Sequence, residues 1–269
     1  MSKIELNARE ILYLSALAGA SEVIGIPDGF YGMDELEIKQ EVLKIQSELE
    51  SKGYAQADFD GNFNPNTEVM QVIKVCALCE KFISFDKISS ASKAKLLFYL
   101  YDNRVMKVEA VSDKFELTTL KHADINPYIL KHINWIAQEK KDVGNKVVIP
   151  QSLLHQIKES TEDGFSEKLA IEELHKAGCS DVQGQIIYSG LSGTSNYYSI
   201  VIVDFNNEEN DVMSIIAINS NNGSLELIPA DTGEEEEVVF HKIDYEIFKR
   251  KLADALSLIG RVDGGDDFI

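Results

Sequence analysis

The stretch Ala94-Lys-Leu-Leu-Phe-Tyr-Leu-Tyr101, Asp102-Asn103, Arg104-Val-Met-Lys-Val-Glu-Ala-Val111, Ser112-Asp113, Lys114-Phe-Glu-Leu-Thr-Thr-Leu120 decides the fold. Three runs of seven or eight residues, rich in aromatic and β-branched side chains, are separated by pairs of small polar residues that tolerate tight turns. That pattern predicts a three-stranded antiparallel meander. Phe82-Ile-Ser-Phe85 is a short strand candidate just ahead of it. Behind it the period changes to 3.6, and a helix is expected from Asn126 to Glu139 with Tyr128, Ile129, Ile133 and Ile136 on one face.

The same order returns about a hundred residues later. Helices are expected at 150–158, 166–177 and 180–189, followed by a Gly/Ser connection, Ser189-Gly-Leu-Ser-Gly-Thr-Ser195. Strands are expected at Tyr197–Phe205, Val212–Asn219 and Leu225–Ile228, with Asn222-Gly223 as the hairpin turn and a further short strand at Val238–Phe240. An amphipathic helix, Tyr245–Leu258, closes the series. Leu97-Phe-Tyr-Leu-Tyr-Asp102 lies over Ile200-Val-Ile-Val-Asp204-Phe, Val105-Met-Lys-Val over Val212-Met-Ser-Ile, and His122…Tyr128 over His241…Tyr245. The reading is an α+β fold of two quasi-two-fold halves, about 1–145 and 146–260, each a β-meander followed by a helix, with 261–269 as a mobile tail.

Ahead of the first meander the chain reads as helical. Asn7 and Glu10 have capping-box spacing, with Ile11, Leu12, Leu14 and Leu17 behind them. A turn-rich loop (Gly25, Pro27, Asp28, Gly29, Gly32) leads to a helix from Asp34 to Lys52, stopped by Gly53. Asp60-Gly61 marks a small hairpin within 54–63, and a third helix starts after Pro65, capped by Asn66 or Thr67. Helix, helix, hairpin and helix is also close to a winged-helix order, which keeps a regulatory role open.

Composition narrows the partners. With 45 acidic against 26 basic residues the net charge is −19, which repels nucleic acid and anionic membranes and favours a neutral or basic protein. No run of 18 apolar residues is present, the opening residues lack a secretory pattern, and three cysteines do not make a disulfide framework, so a cytoplasmic protein is expected.

Each motif that could carry chemistry falls short of its template. Cys76-Ala-Leu-Cys79 sits at a helix end with no second pair for zinc, and reads as two small buried hydrophobes. Asp58, Asp60, Asn62 and Asn64 alternate as in a calcium loop, but glycine is at the fourth place and Val69 holds the twelfth, where a glutamate is needed. His122, His132, His155, His175 and His241 form no H-E-x-x-H pair, there is no G-x-S-x-G elbow, and Gly190–Ser195 lacks the lysine of a phosphate loop and precedes a strand. Glu234–Glu237 reads as a solvated run guarding an edge. No catalytic residue, metal or cofactor is expected.

Leu6-Asn-Ala-Arg-Glu-Ile-Leu-Tyr-Leu-Ser-Ala-Leu-Ala-Gly19, Leu49-x-x-Lys-Gly53-Tyr, Asp60-Gly-Asn-Phe-Asn-Pro65, Tyr198-Ser-Ile-Val-Ile-Val-Asp204 and Ser214–Gly223 together resemble EspG-type proteins. These are cytosolic specificity chaperones of ESX, or type VII, secretion systems, and the resemblance spans nearly the whole chain. It implies a central antiparallel sheet with helical bundles and capture of helical secreted substrates before export. The Lys/Glu/Asn-rich composition suits a low-GC Gram-positive member and a WXG- or LXG-like client. Tyr197, Tyr198, Ile200 and Ile202, with the hairpin tip Asn222-Gly223, are the expected contact residues, so Tyr198→Lys should abolish client binding and spare the fold. An immunity protein for a basic toxin and a homodimer stay open.

Overall fold

The computed structural model describes residues 3–137, 143–144, 146–162, 166–206, 211–231 and 236–260. The first series of elements is β1 (Ile4–Leu6), α1 (Ala8–Leu17), α2 (Glu35–Ser51), β2 (Ala55–Ala57), β3 (Phe63–Pro65), α3 (Thr67–Ala77), β4 (Lys81–Ile88), β5 (Lys93–Tyr101), β6 (Arg104–Val111), β7 (Lys114–Leu120) and α4 (Ile125–His132). The second is β8 (Val147–Pro150), α5 (Gln151–Glu162), α6 (Glu167–Lys176), α7 (Asp181–Leu191), β9 (Asn196–Asp204), β10 (Asp211–Ser220), β11 (Gly223–Asp231), β12 (Glu236–Lys242) and α8 (Tyr245–Gly260). The class is α+β. Ten strands hydrogen-bond in the order β1-β7-β6-β5-β4-β9-β10-β11-β12-β8, and β2 and β3 make a separate hairpin.

Both series run strand, helices, meander, helix, and in both the first strand pairs antiparallel with the last, Ile4 opposite Leu117 and Val147 opposite Phe240. Each meander has four strands, because the short strands expected at Phe82–Phe85 and Val238–Phe240 are full members of it, β4 reaching Ile88 and β12 reaching Lys242. By order in the sheet, β4 therefore holds the place that β9 holds, whereas the sequence overlay set β5 on β9. The strands β1 and β8, three and four residues long, are too short to announce themselves by alternation. Packing gathers the described residues of Met1–Ser84, Leu96–Ile125 and Val203–Asp211 into one compact unit and those of Phe85–Lys95, Asn126–Ile202 and Val212–Ile269 into another. The expected tail and Glu234–Glu235 lie outside the described residues.

In the first unit, local chemistry sets the helix ends. Asn7 accepts from the Glu10 N–H at 2.9 Å while Glu10 accepts from the Asn7 N–H at 2.8 Å. Asp34 and Glu37 make the same reciprocal pair at the start of α2, and Gly53 leaves that helix at φ 72°. Leu6, Leu14, Leu49, Ile73 and Tyr99 are fully buried in one core between helices and sheet. Burial of each such side chain stabilises by about 1.5–3 kcal/mol. The β5–β6 turn places Asp102 and Asn103 at φ 48° and 58°, the left-handed geometry their polar side chains were expected to accept.

In the second unit, Ile216, Ala217 and Ile218 of β10 face Leu227, Glu226 and Leu225 of β11. The turn is Asn221-Asn222, one residue earlier than expected, and the unusual φ of 153° falls on Gly223 at the start of β11. The helix α7 lies close on the sheet: a Cβ on Gly190 would come within 2.5 Å of Ile218 Cδ1 and 2.9 Å of its Cγ1. Gly190 and Leu191 are therefore the last turn of a helix, not the start of a flexible connection. α4 ends at His132 instead of Glu139, because side chains hold the next segment out of helix. Asn196 Nδ2 donates to the Asn134 carbonyl at 2.8 Å, and Asn219 accepts from the Ile136 N–H at 2.6 Å. These bonds set Trp135 among Tyr198, Tyr245 and Phe248, with ring centroids 5.3–6.0 Å apart.

Candidate functional site

The residues expected to meet a partner are mostly inside. Tyr198, Ile200 and Ile202 are no more than 1% exposed, on the face of β9 that Trp135 and Phe248 of α8 cover at Tyr198. Burial pushes the Tyr198 hydroxyl up to about 12. Tyr197 points to the opposite face and is half-buried against the core below α7, its hydroxyl also raised by burial. Asn222 is half-buried, and Gly223 is buried where a Cβ would meet Ile186 Cδ1 at 2.7 Å and Val143 Cγ2 at 2.9 Å. The structure does not bring these six residues together as a surface.

The first unit carries a surface that the sequence did not single out. The loop after α1 and the N-terminal half of α2 enclose an open groove of about 740 Å³. Leu12 and Ala16 of α1, Ile24 and Phe30 of the loop, and Ile38 and Val42 of α2 line it. A second hollow of about 490 Å³ continues past Ser21, Glu22 and Ile24 to Leu78 at the end of α3.

The groove exists because its walls are held apart and its loop is pinned. Val23 and Ile26 sink into the core, and the intervening Gly25 takes φ 80°. Any Cβ there would stand 3.0 Å from Leu97 Cδ1, so glycine permits both the turn and the close approach. The Tyr99 hydroxyl donates to the Ile24 carbonyl at 2.6 Å, and Arg9 Nε donates to the Gly29 carbonyl at 2.8 Å. The same Arg9 reaches Glu41 of α2 at 2.6 Å, and Gln46 Nε2 donates to the Tyr13 hydroxyl at 2.6 Å. Arg9 also holds the Glu41 carboxyl below the usual carboxylate range. These bonds fix the spacing of α1 and α2, so the apolar side chains between them stay open to solvent.

The other motifs resolve into structure. Asp58 accepts from the N–H groups of Asp60 and Asn62 at 2.9 and 2.8 Å, tying the polar hairpin tip. Cys76 and Cys179 are buried and Cys79 half-buried, all as free thiols. Burial pushes Cys79 up to about 12 and Cys179 up to about 11, and raises Cys76 further. Among the described residues no three His, Cys, Asp or Glu side chains converge on a metal position, and no helix is long and apolar enough to cross a membrane.

No family model matches the chain, and no curated protein matches it by sequence. Among solved structures it is similar to the type VII secretion system chaperone EspG5 of Mycobacterium tuberculosis, determined in complex with the PE25–PPE41 dimer. The TM-score is 0.59 at 11% identity, and the match covers 99% of this chain and 99% of that one. At that identity the likeness is one of architecture: the chain has an EspG-like fold from end to end.

Proposed function

We propose that this chain is a non-catalytic chaperone that binds a helical secreted protein of a type VII-like system in the cytosol and holds it before export. The observation that carries the reading is the extent of the fold likeness, 99% of both chains, with a protein named as a secretion chaperone. The open apolar groove of the first unit supports it, because an unassembled amphipathic helix needs such a surface to hide its apolar stripe from water. A net charge of −19 keeps such a protein soluble and away from nucleic acid. The recurring order of strand, helices, meander and helix supports descent from a duplicated half. A WXG- or LXG-like client in a low-GC Gram-positive host belongs to the same proposal.

The test is co-expression of the full chain with the small helical secreted proteins encoded beside it, followed by size-exclusion chromatography. A stable complex of fixed stoichiometry is expected. Failure of every such protein to bind, together with tight binding of a basic toxin or of DNA at low salt, would replace the chaperone with an immunity or regulatory protein.

A further inference from the structure

We propose that the groove between α1, the 19–33 loop and α2 is the client site, and that it takes an amphipathic helix whose apolar stripe is flanked by lysine or arginine. This rests on the chaperone reading and deepens it.

Three features point to that occupant. The groove is walled by two helices and a loop, with no strand among its lining residues, and part of the loop's backbone is spent internally: the Ile24 carbonyl accepts from Tyr99, that of Gly29 from Arg9, that of Val23 from the Ile26 N–H, and that of Phe30 from the Met33 N–H. Asp28 accepts from the Phe30 N–H at 2.9 Å. A segment laid there has no sheet edge to extend and must satisfy its own backbone, which is what a helix does.

The floor is aliphatic and aromatic: Leu12, Ala16, Ile24, Phe30, Ile38 and Val42 line it, and each is at least partly open to solvent.

The lip is acidic. Glu22 and Asp28 are the charged residues among its lining, and the stretch from Ala20 to Glu41 carries six carboxylates against Lys39, with Arg9 beside it. Lys39 is already engaged by Glu35 at 2.7 Å, and Arg9 by Glu41 at 2.6 Å. Glu22 and Asp28 line the groove itself, and among the described residues neither is in an ion pair. Positive charge on the incoming helix would complete them, and like charge would be repelled.

Two synthetic amphipathic peptides of about 20 residues test this against the full-length chain by fluorescence anisotropy. They share one Leu/Ile/Phe stripe and carry lysine or glutamate on its flanks. The lysine peptide should bind at least tenfold tighter in 50 mM salt, and the gap should shrink severalfold in 500 mM salt, where screening shortens to a few ångströms. Ile38→Asp should abolish binding of both peptides. Glu22→Lys, an exposed change that leaves the core alone, should narrow or reverse the preference. Leu43→Asp should change nothing, since Leu43 is 67% exposed, is not among the groove's lining residues and is turned about 100° from Val42 and about 140° from Ile38.

Equal affinity for the two peptides would overturn the proposal, as would loss of binding in Leu43→Asp but not in Ile38→Asp. So would a concentration-dependent dimer abolished by Ile38→Asp, which would make a second copy the occupant. Co-purified client separates the two levels. A client retained by both wild type and Ile38→Asp sinks the groove but leaves the chaperone. Peptide discrimination with no secreted protein ever bound sinks the chaperone but leaves the groove.

Discussion

Lys52, the C-cap just after α2, places its ammonium 2.6 and 2.7 Å from the two carboxylate oxygens of Glu10, a fully buried residue of α1. One of those oxygens also accepts from the Asn7 N–H, so a single side chain caps α1 and ties it to the far end of α2. Removing Lys52 leaves a charge uncompensated inside the core. Because Lys52 is itself partly solvated, Lys52→Met should cost about 2 kcal/mol, less than the roughly 3–5 of a fully buried pair. A lowered midpoint in urea unfolding checks it. Lys52→Arg should recover part of the loss.

Gly190 and Ile218 should behave as a coupled pair. Gly190→Ala drives a methyl into the whole Ile218 side chain, and the expected cost is about 1–3 kcal/mol. Ile218→Ala alone should cost more, from its cavity, yet the double variant should be less destabilised than the sum of the two. Thermal unfolding of all four proteins gives the cycle, and strict additivity would mean that the helix has room to shift.

Asn219 is fully buried and bonds the Ile136 N–H, the Ile136 carbonyl (3.3 Å) and Ser224 Oγ (2.9 Å). Asn219→Leu strands those groups and should destabilise by about 1–3 kcal/mol. It also frees the segment that carries Trp135, the single tryptophan of the chain. Its emission should move to longer wavelength and become quenchable by iodide, while a surface change such as Asn221→Leu leaves the spectrum as it was.

Tyr198→Lys tests the burial of β9 directly. It removes an aromatic ring stacked at 6.0 Å on Trp135 and puts an ammonium in its place. An unfolded or strongly destabilised protein, by more than about 3 kcal/mol, is expected where the sequence alone suggested an intact fold with lost binding. Circular dichroism decides between them.

The thiols set a pH limit. Burial raises all three, so the native state holds their protons more tightly than the unfolded chain does. That contribution is complete below the ordinary thiol value of 9.0 and is lost as pH climbs toward about 11–12. Stability should therefore fall in alkali more steeply than in a Cys→Ala variant. At pH 8 a thiol reagent should label the folded chain on the order of a hundredfold slower than the denatured one.

The legible parts of this fold were those written in local chemistry. Asn7/Glu10 and Asp34 announce two helix starts, Gly53 a stop, and Asp102-Asn103 a hairpin, and each is where the residues put it. Facing of strands was less legible. Tyr198, Ile200 and Ile202 alternate with Tyr197 and Val201, but nothing within β9 says that a distant tryptophan and α8 will cover the first set. The strands β1 and β8 gain their identity from partners more than eighty positions away. The groove was hidden for a similar reason. Ile38 and Val42 read as ordinary inward residues of an amphipathic helix, and only the loop pinned by Tyr99 and Arg9 decides that the space beside them stays unfilled.

The pairing of each series' opening strand with its closing one also constrains how the molecule is born. Ile4 leaves the ribosome more than a hundred residues before Leu117, and Val147 more than ninety before Phe240. Until those partners arrive, each nascent half has an unzipped margin and cannot be finished piecemeal. Such distant closure slows folding. A chain cut short by even its last meander strand would therefore leave the neighbouring strand bare, a ragged edge that cellular quality control can detect and remove.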